Sequence, residues 1–115
     1  MGFENIHNNN EKPTEIDKII EALNNGEIKP GEKGIRKIEL TDGIIGTYDK
    51  YSKNLSFVYR GILTNVTIEN NKVASVDLAN PHTNEMINDN RIAESRKQYI
   101  QKLLDERQLI LPYTE

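Results

Sequence analysis

The sequence predicts an α+β domain: an N-terminal helix, an antiparallel five-strand meander forming a curled sheet or small barrel, and a C-terminal helix. Two observations carry this expectation. Apolar residues recur at helical spacing over 16–23 and again over 92–104, and short alternating segments separated by turn residues fill 35–79 between them. With 115 residues, one domain is expected, spanning 14–111.

The first thirteen residues are polar, contain the run Asn8-Asn9-Asn10 and have no aromatic except Phe3. They are expected to form a mobile N-terminal tail, and 112–115 a short C-terminal one. Thr14 is suited to cap a helix, with Asp17 at the third helical position as in a capping box. Ile16, Ile19, Ile20 and Leu23 then form one apolar stripe, and Asn24-Asn25-Gly26 ends it, with Gly26 suited to a left-handed position. Pro30-Gly31 reads as a turn leading into extended chain.

Arg36 to Leu40 is expected as the first strand, with Asp42-Gly43 as a two-residue hairpin turn into Ile44 to Tyr51. Gly46 interrupts that strand, marking a bulge or a point of close packing. After Ser52-Lys53-Asn54, Leu55, Phe57 and Tyr59 share one face, and Gly61 allows a bend. Ile62, Thr64, Val66 and Ile68 follow on the next strand. Asn70-Asn71 makes a tight turn into Lys72 to Ala79, with Ala74, Val76 and Leu78 on one face. A polar loop, Asn80 to Glu85, continues through Met86-Ile87 and Asn88-Asp89-Asn90. The second helix is expected from Arg91 to Arg107, capped by Asn88 or Asp89, with Ile92, Tyr99, Ile100, Leu103 and Leu104 as its apolar stripe. Leu109-Ile110-Leu111 is too short for a helix and reads as an edge strand or a docking apolar tail.

Hydrophobic residues make up only 36% of the chain, 15 of them isoleucine. A core this thin is often completed by a second copy, so self-association is expected. The chain has no cysteine, which removes disulfides, thiol nucleophiles and cysteine-based zinc sites. No apolar run approaches the ~18 residues of a membrane span, and the start of the chain lacks the basic and apolar regions of a signal peptide. Cytoplasmic residence is the expectation. The net charge is −3, with mildly basic blocks at 29–60 and 91–107 rather than the dominant basic surface of a nucleic-acid binder.

Chemistry-bearing motifs are few. His82 and Glu85 have no third metal ligand beside them, and His7 lies in the tail, so neither a metal site nor a cofactor is expected. There is no Gly-x-Ser-x-Gly elbow and no glycine-rich phosphate loop. The segment from Asn80 to Arg96 is the richest in potential ligand groups. Asn80, His82, Asn84 and Asn88 supply polar groups, while Arg91 and Arg96 stand in the first turns of the second helix, where free N–H groups favour an anion. A second patch combines Tyr48, Tyr51, Tyr59 and Arg60 with Lys50 and Lys53. Tyr59 and Arg60 from it join the candidate ligand or partner set, although packing within the sheet accounts for most such tyrosines.

Two stretches are similar to known families. Ile16 to Lys33, with Gly26-Glu27-Ile28-Lys29-Pro30-Gly31-Glu32-Lys33, resembles the first helix and turn of GntR-type winged-helix repressors. That family continues into a helix-turn-helix, whereas here Ile38-Glu39-Leu40-Thr41-Asp42-Gly43 and further strands follow. Those six residues, together with Tyr59-Arg60-Gly61-Ile62-Leu63-Thr64-Asn65-Val66, resemble the two motifs of Sm/Hfq-like RNA-binding barrels. Neither resemblance extends far enough to define a family, and the second implies single-stranded nucleic-acid binding as an alternative. The expected function is a small non-enzymatic binding or interaction protein that self-associates and occupies a protein surface or holds an anionic ligand. The composition, rich in Ile, Asn and Lys, fits an AT-rich coding sequence, such as that of a regulator or inhibitor from a bacterium or mobile element. A small enzyme without a recognisable motif is the remaining alternative.

Overall fold

A computed structural model describes residues 13–29 and 34–111 of the chain. The expected tail at 1–13 except for Pro13, the expected tail at 112–115, and the Pro30-Gly31 turn lie outside the described residues. The order is α1 (Glu15–Asn24), β1 (Ile35–Glu39), β2 (Ile45–Asp49), β3 (Asn54–Tyr59), β4 (Ile62–Glu69), β5 (Lys72–Ala79), β6 (Met86–Ile87) and α2 (Asn90–Asp105). The strands form one antiparallel sheet in the order β1-β2-β3-β4-β5-β6. It is a meander of six strands, not five, and it remains open rather than closing into a barrel. The extra strand, β6, is two residues long and pairs Ile87 with Leu78 and Met86 with Ala79. Two residues are too few to show alternation, which is why the sequence reads them as loop.

The capping box at α1 forms as its residues dictate. Thr14 Oγ1 accepts from the Asp17 amide at 3.1 Å, and Asp17 Oδ2 accepts from the Thr14 amide at 3.0 Å. Asn25 is the C-cap, with Gly26 beyond it at φ +80°. The hairpin between β1 and β2 differs from the two-residue turn expected at Asp42-Gly43. Thr41–Gly43 form a 3-10 turn, the Leu40 amide donates to the Ile44 carbonyl at 2.7 Å, and Gly43 takes φ +74°. A three-residue loop ending on a left-handed glycine is the next most common hairpin connection. The tight two-residue connections are instead Arg60-Gly61 and Asn70-Asn71, all four with positive φ, closing Tyr59 against Ile62 and Glu69 against Lys72.

On one face of the sheet, Tyr48, Leu55, Val66 and Val76 stand in register across four strands. Ile100, Leu103 and Leu104 of α2 join the same core, with Phe57 and Leu55 fully buried. A side chain the size of Phe57 buried this completely contributes about 2–3 kcal/mol. Ala74 does not share the core face with Val76 and Leu78 as alternation suggested. The register shifts between Thr67 and Ile68, so Val73 pairs Ile68, Ser75 pairs Thr67, and Ala74 is the exposed extra residue. Thr47 and Tyr48 are both buried, so β2 is covered on both faces. Tyr48 belongs to the core beneath α2, and α1 packs against β1, β2 and β3 on the other side. Lys37 Nζ donates to Asn24 Oδ1 at 2.8 Å, joining β1 to the end of α1.

Gly46 marks close packing rather than a bulge. A Cβ there would collide with the Ser56 carbonyl oxygen and stand 3.0 Å from Phe57 Cβ. Among the described residues after α2 there is no strand. Leu109 and Leu111 are buried against the core while Ile110 is 74% exposed, so this is the docked tail of the two expected arrangements. Among the described residues, no helix is long and apolar enough to cross a membrane.

Candidate functional site

The predicted site residues fall into separate places. Asn80 organises its own loop: its Oδ1 accepts from the amides of His82 at 2.8 Å and Thr83 at 3.0 Å, and its carbonyl accepts from the Asn84 amide at 2.8 Å. This is the Asx-turn chemistry of a tight loop. His82 and Asn84 face the first turn of α1, lining a shallow hollow with Pro13, Thr14, Glu15, Lys18 and Pro81. Asn88 and Arg91 are exposed. Asp89, the expected N-cap, accepts from the amides of Arg91 and Ile92 at 3.0 and 3.1 Å, so the helix N-terminus already has its anion.

Arg96 departs most from its expected place. It stands in the apolar stripe of α2, one turn before Ile100, and is only 9% exposed. Its guanidinium carbon lies 4.8 Å from the centre of the Tyr59 ring, and Nη2 donates to the Tyr59 carbonyl at 3.3 Å. Nε is buried with no hydrogen-bond partner. Arg60, in the turn that follows β3, approaches the same ring at 5.2 Å. Tyr59, Arg60 and Arg96 therefore converge, as three of the eight predicted residues, through cation–π geometry. Among the described residues, no carboxylate pairs with Arg60 or Arg96.

The surroundings form an open cleft of about 150 Å³, lined by Ile44, Tyr59, Ser95, Arg96 and Tyr99. Ile44, Tyr59 and Tyr99 are partly buried against the core, so the cleft opens at its margin. One wall is held across the molecule: Thr41 Oγ1 and Tyr99 Oη are 2.6 Å apart in a hydrogen bond that ties the β1–β2 loop to α2. Burial lowers the Arg96 pKa from the ordinary arginine value; the Tyr59 phenol opposes that shift and the Arg60 charge adds to it. Arginine remains charged nonetheless, which leaves a desolvated cation facing a cleft.

The tyrosine patch is not a surface. Tyr48 is buried in the core, while Tyr51 is 73% exposed in the β2–β3 turn. Ile44, Ser95 and Tyr99 were not among the expected site residues. Tyr99 was legible only as part of the apolar stripe, and nothing in the sequence signals that Ile44 stands across from it. Among the described residues, no cluster of His, Asp and Glu could hold a metal. No model of a known protein family, no curated protein and no solved structure matches this chain.

Proposed function

We propose that this is a small non-enzymatic binding protein whose Arg96 cleft receives an anionic group. The observation that supports this most directly is the cation itself. Arg96 is nine-tenths buried, has no acidic partner among the described residues and lines an open cleft. Unpaired charges are costly to bury, and the Tyr59 ring and carbonyl offset only part of that cost. An incoming anion supplies the missing counter-charge in a setting where water screens little. A cytoplasmic setting is part of the proposal, in keeping with a cysteine-free chain.

The test is thermal unfolding of the full chain with sulfate, phosphate and carboxylate salts at matched ionic strength. A ligand that binds only the native state raises the melting temperature with concentration. The increase is expected in the wild type and absent in Arg96→Met, which keeps an unbranched stem without the charge. Equal shifts in the two proteins, or none in either, contradict the proposal.

Self-association is the second part of the proposal. Only 36% of the chain is hydrophobic, and a core this thin gains from a second copy; Met86, Ile110 and Ile45 are exposed apolar side chains that such a copy could cover. Light scattering is expected to give a multiple of 13.2 kDa; a monomer mass across the micromolar range contradicts this part alone.

A further inference from the structure

We infer that the group received at Arg96 is a carboxylate on a short apolar stem, carried by a small organic acid or by the end of a peptide. This rests on the reading of the Arg96 cleft as an anion site and names the ligand class for it. Three features of the cleft point the same way.

The first is size. About 150 Å³ accommodates a carboxylate with a few carbons or one ring, and is smaller than the roughly 300–1,000 Å³ of clefts that enclose cofactors and drug-sized ligands. The second is charge. Arg96 is the one cation among the lining residues, and Arg60, 5.2 Å from the Tyr59 ring, lies outside that lining, so a single negative charge matches the cation that the cleft itself presents. A phosphate dianion brings a second charge and a third acceptor oxygen. The other lining donors are the hydroxyls of Tyr59, Ser95 and Tyr99, and Tyr99 Oη already shares a hydrogen bond with Thr41. The third is shape and polarity. The planar guanidinium matches the two oxygens of a carboxylate, and Ile44 with the rings of Tyr59 and Tyr99 offers apolar contact to the stem.

Isothermal titration of the full chain with benzoate, phenyl phosphate and benzamide separates the possibilities. Benzoate is expected to bind at least about tenfold more tightly than the other two, the scale of a charge-assisted hydrogen bond. Arg96→Met is expected to lose benzoate binding. Arg96→Lys, which keeps the charge but not the fork, should weaken it by roughly tenfold and serves where the methionine variant does not fold. Tighter binding of phenyl phosphate that still depends on Arg96 overturns the carboxylate assignment while leaving the anion reading intact. Absence of binding by either anion overturns both. A short N-acetylated peptide ending in phenylalanine, compared with its C-terminal amide, then distinguishes the source. A free-ended peptide that binds better than benzoate identifies a protein terminus, and the reverse order identifies a small acid; an amide that binds as well as the free acid contradicts the carboxylate assignment.

Discussion

A long cationic side chain on the buried stripe of a helix has two jobs, and Arg96 divides between them. Its aliphatic stem lies on the buried stripe of α2, one turn before Ile100, while its guanidinium is held by the ring and carbonyl of Tyr59. The two can be separated by substitution. Arg96→Met retains the volume and removes an unpaired buried charge, so stability is expected to change by less than about 1 kcal/mol. Arg96→Ala also removes the stem, and urea denaturation is expected to show a loss of about 2 kcal/mol or more. Gly46 provides a sharper case of residue-level constraint. With the Ser56 carbonyl and Phe57 Cβ against the position of a side chain, Gly46→Ala is expected to cost about 1–3 kcal/mol in the same assay. Tyr48 adds a pH dependence. Burial, and secondarily the charge of Asp49, raises its pKa above the ordinary tyrosine value. The folded state therefore keeps a proton that the unfolded state releases, so this contribution is intact below about pH 10 and is lost as pH rises through the folded pKa. Tyr48→Phe is expected to flatten part of the alkaline loss of stability; an unchanged slope above pH 10 contradicts the assignment.

At the scale of elements, α1 and the strands of the meander were legible because local chemistry and burial agree. Thr14 and Asp17 form the capping box their spacing suggests, and Thr14→Ala is expected to lower stability by about 1 kcal/mol, read as a fall in the denaturation midpoint. Connections were less legible. Asp42-Gly43 has the composition of a two-residue turn, but a third residue, Thr41, is drawn into the loop, where its hydroxyl meets Tyr99 58 positions away. No local pattern announces a bond of that separation. The extra residue at Ala74 was hidden for a similar reason: it depends on the register against β4, which alternation within one strand does not specify. The Thr41–Tyr99 bond also holds one wall of the cleft. Tyr99→Phe is expected to cost about 1 kcal/mol and to speed amide hydrogen exchange through Thr41–Gly43.

Across the whole molecule, the architecture followed from periodicity, while the site did not. Asn80, His82 and Asn84 carry the right groups for a ligand, yet their contacts lie within their own turn or toward α1. Arg96 was expected beside Arg91 at the helix N-terminus, but a helix turns about 100° per residue, so residues five positions apart point about 140° away from each other. Arg91 faces solvent and Arg96 faces the sheet. What brings Arg96 to Tyr59 and Ile44 is the packing of α2 across the end of the meander, a relation among three distant segments. The open sheet, with β1 and β6 at its edges, likewise leaves the Sm-like alternative without the closed barrel that its resemblance implied.

On the proposed reading, one buried guanidinium, set in a cleft between α2 and the sheet, receives a negatively charged partner. The Nε–H of Arg96, assigned by comparison with Arg96→Lys in proton–nitrogen NMR spectra, reports on it directly. Titration with benzoate is expected to move that resonance in a saturable manner while the amides of Asn80 to Asn84 stay in place. A resonance that does not move as benzoate saturates the protein, or a response centred on the Asn80 loop instead, contradicts the account.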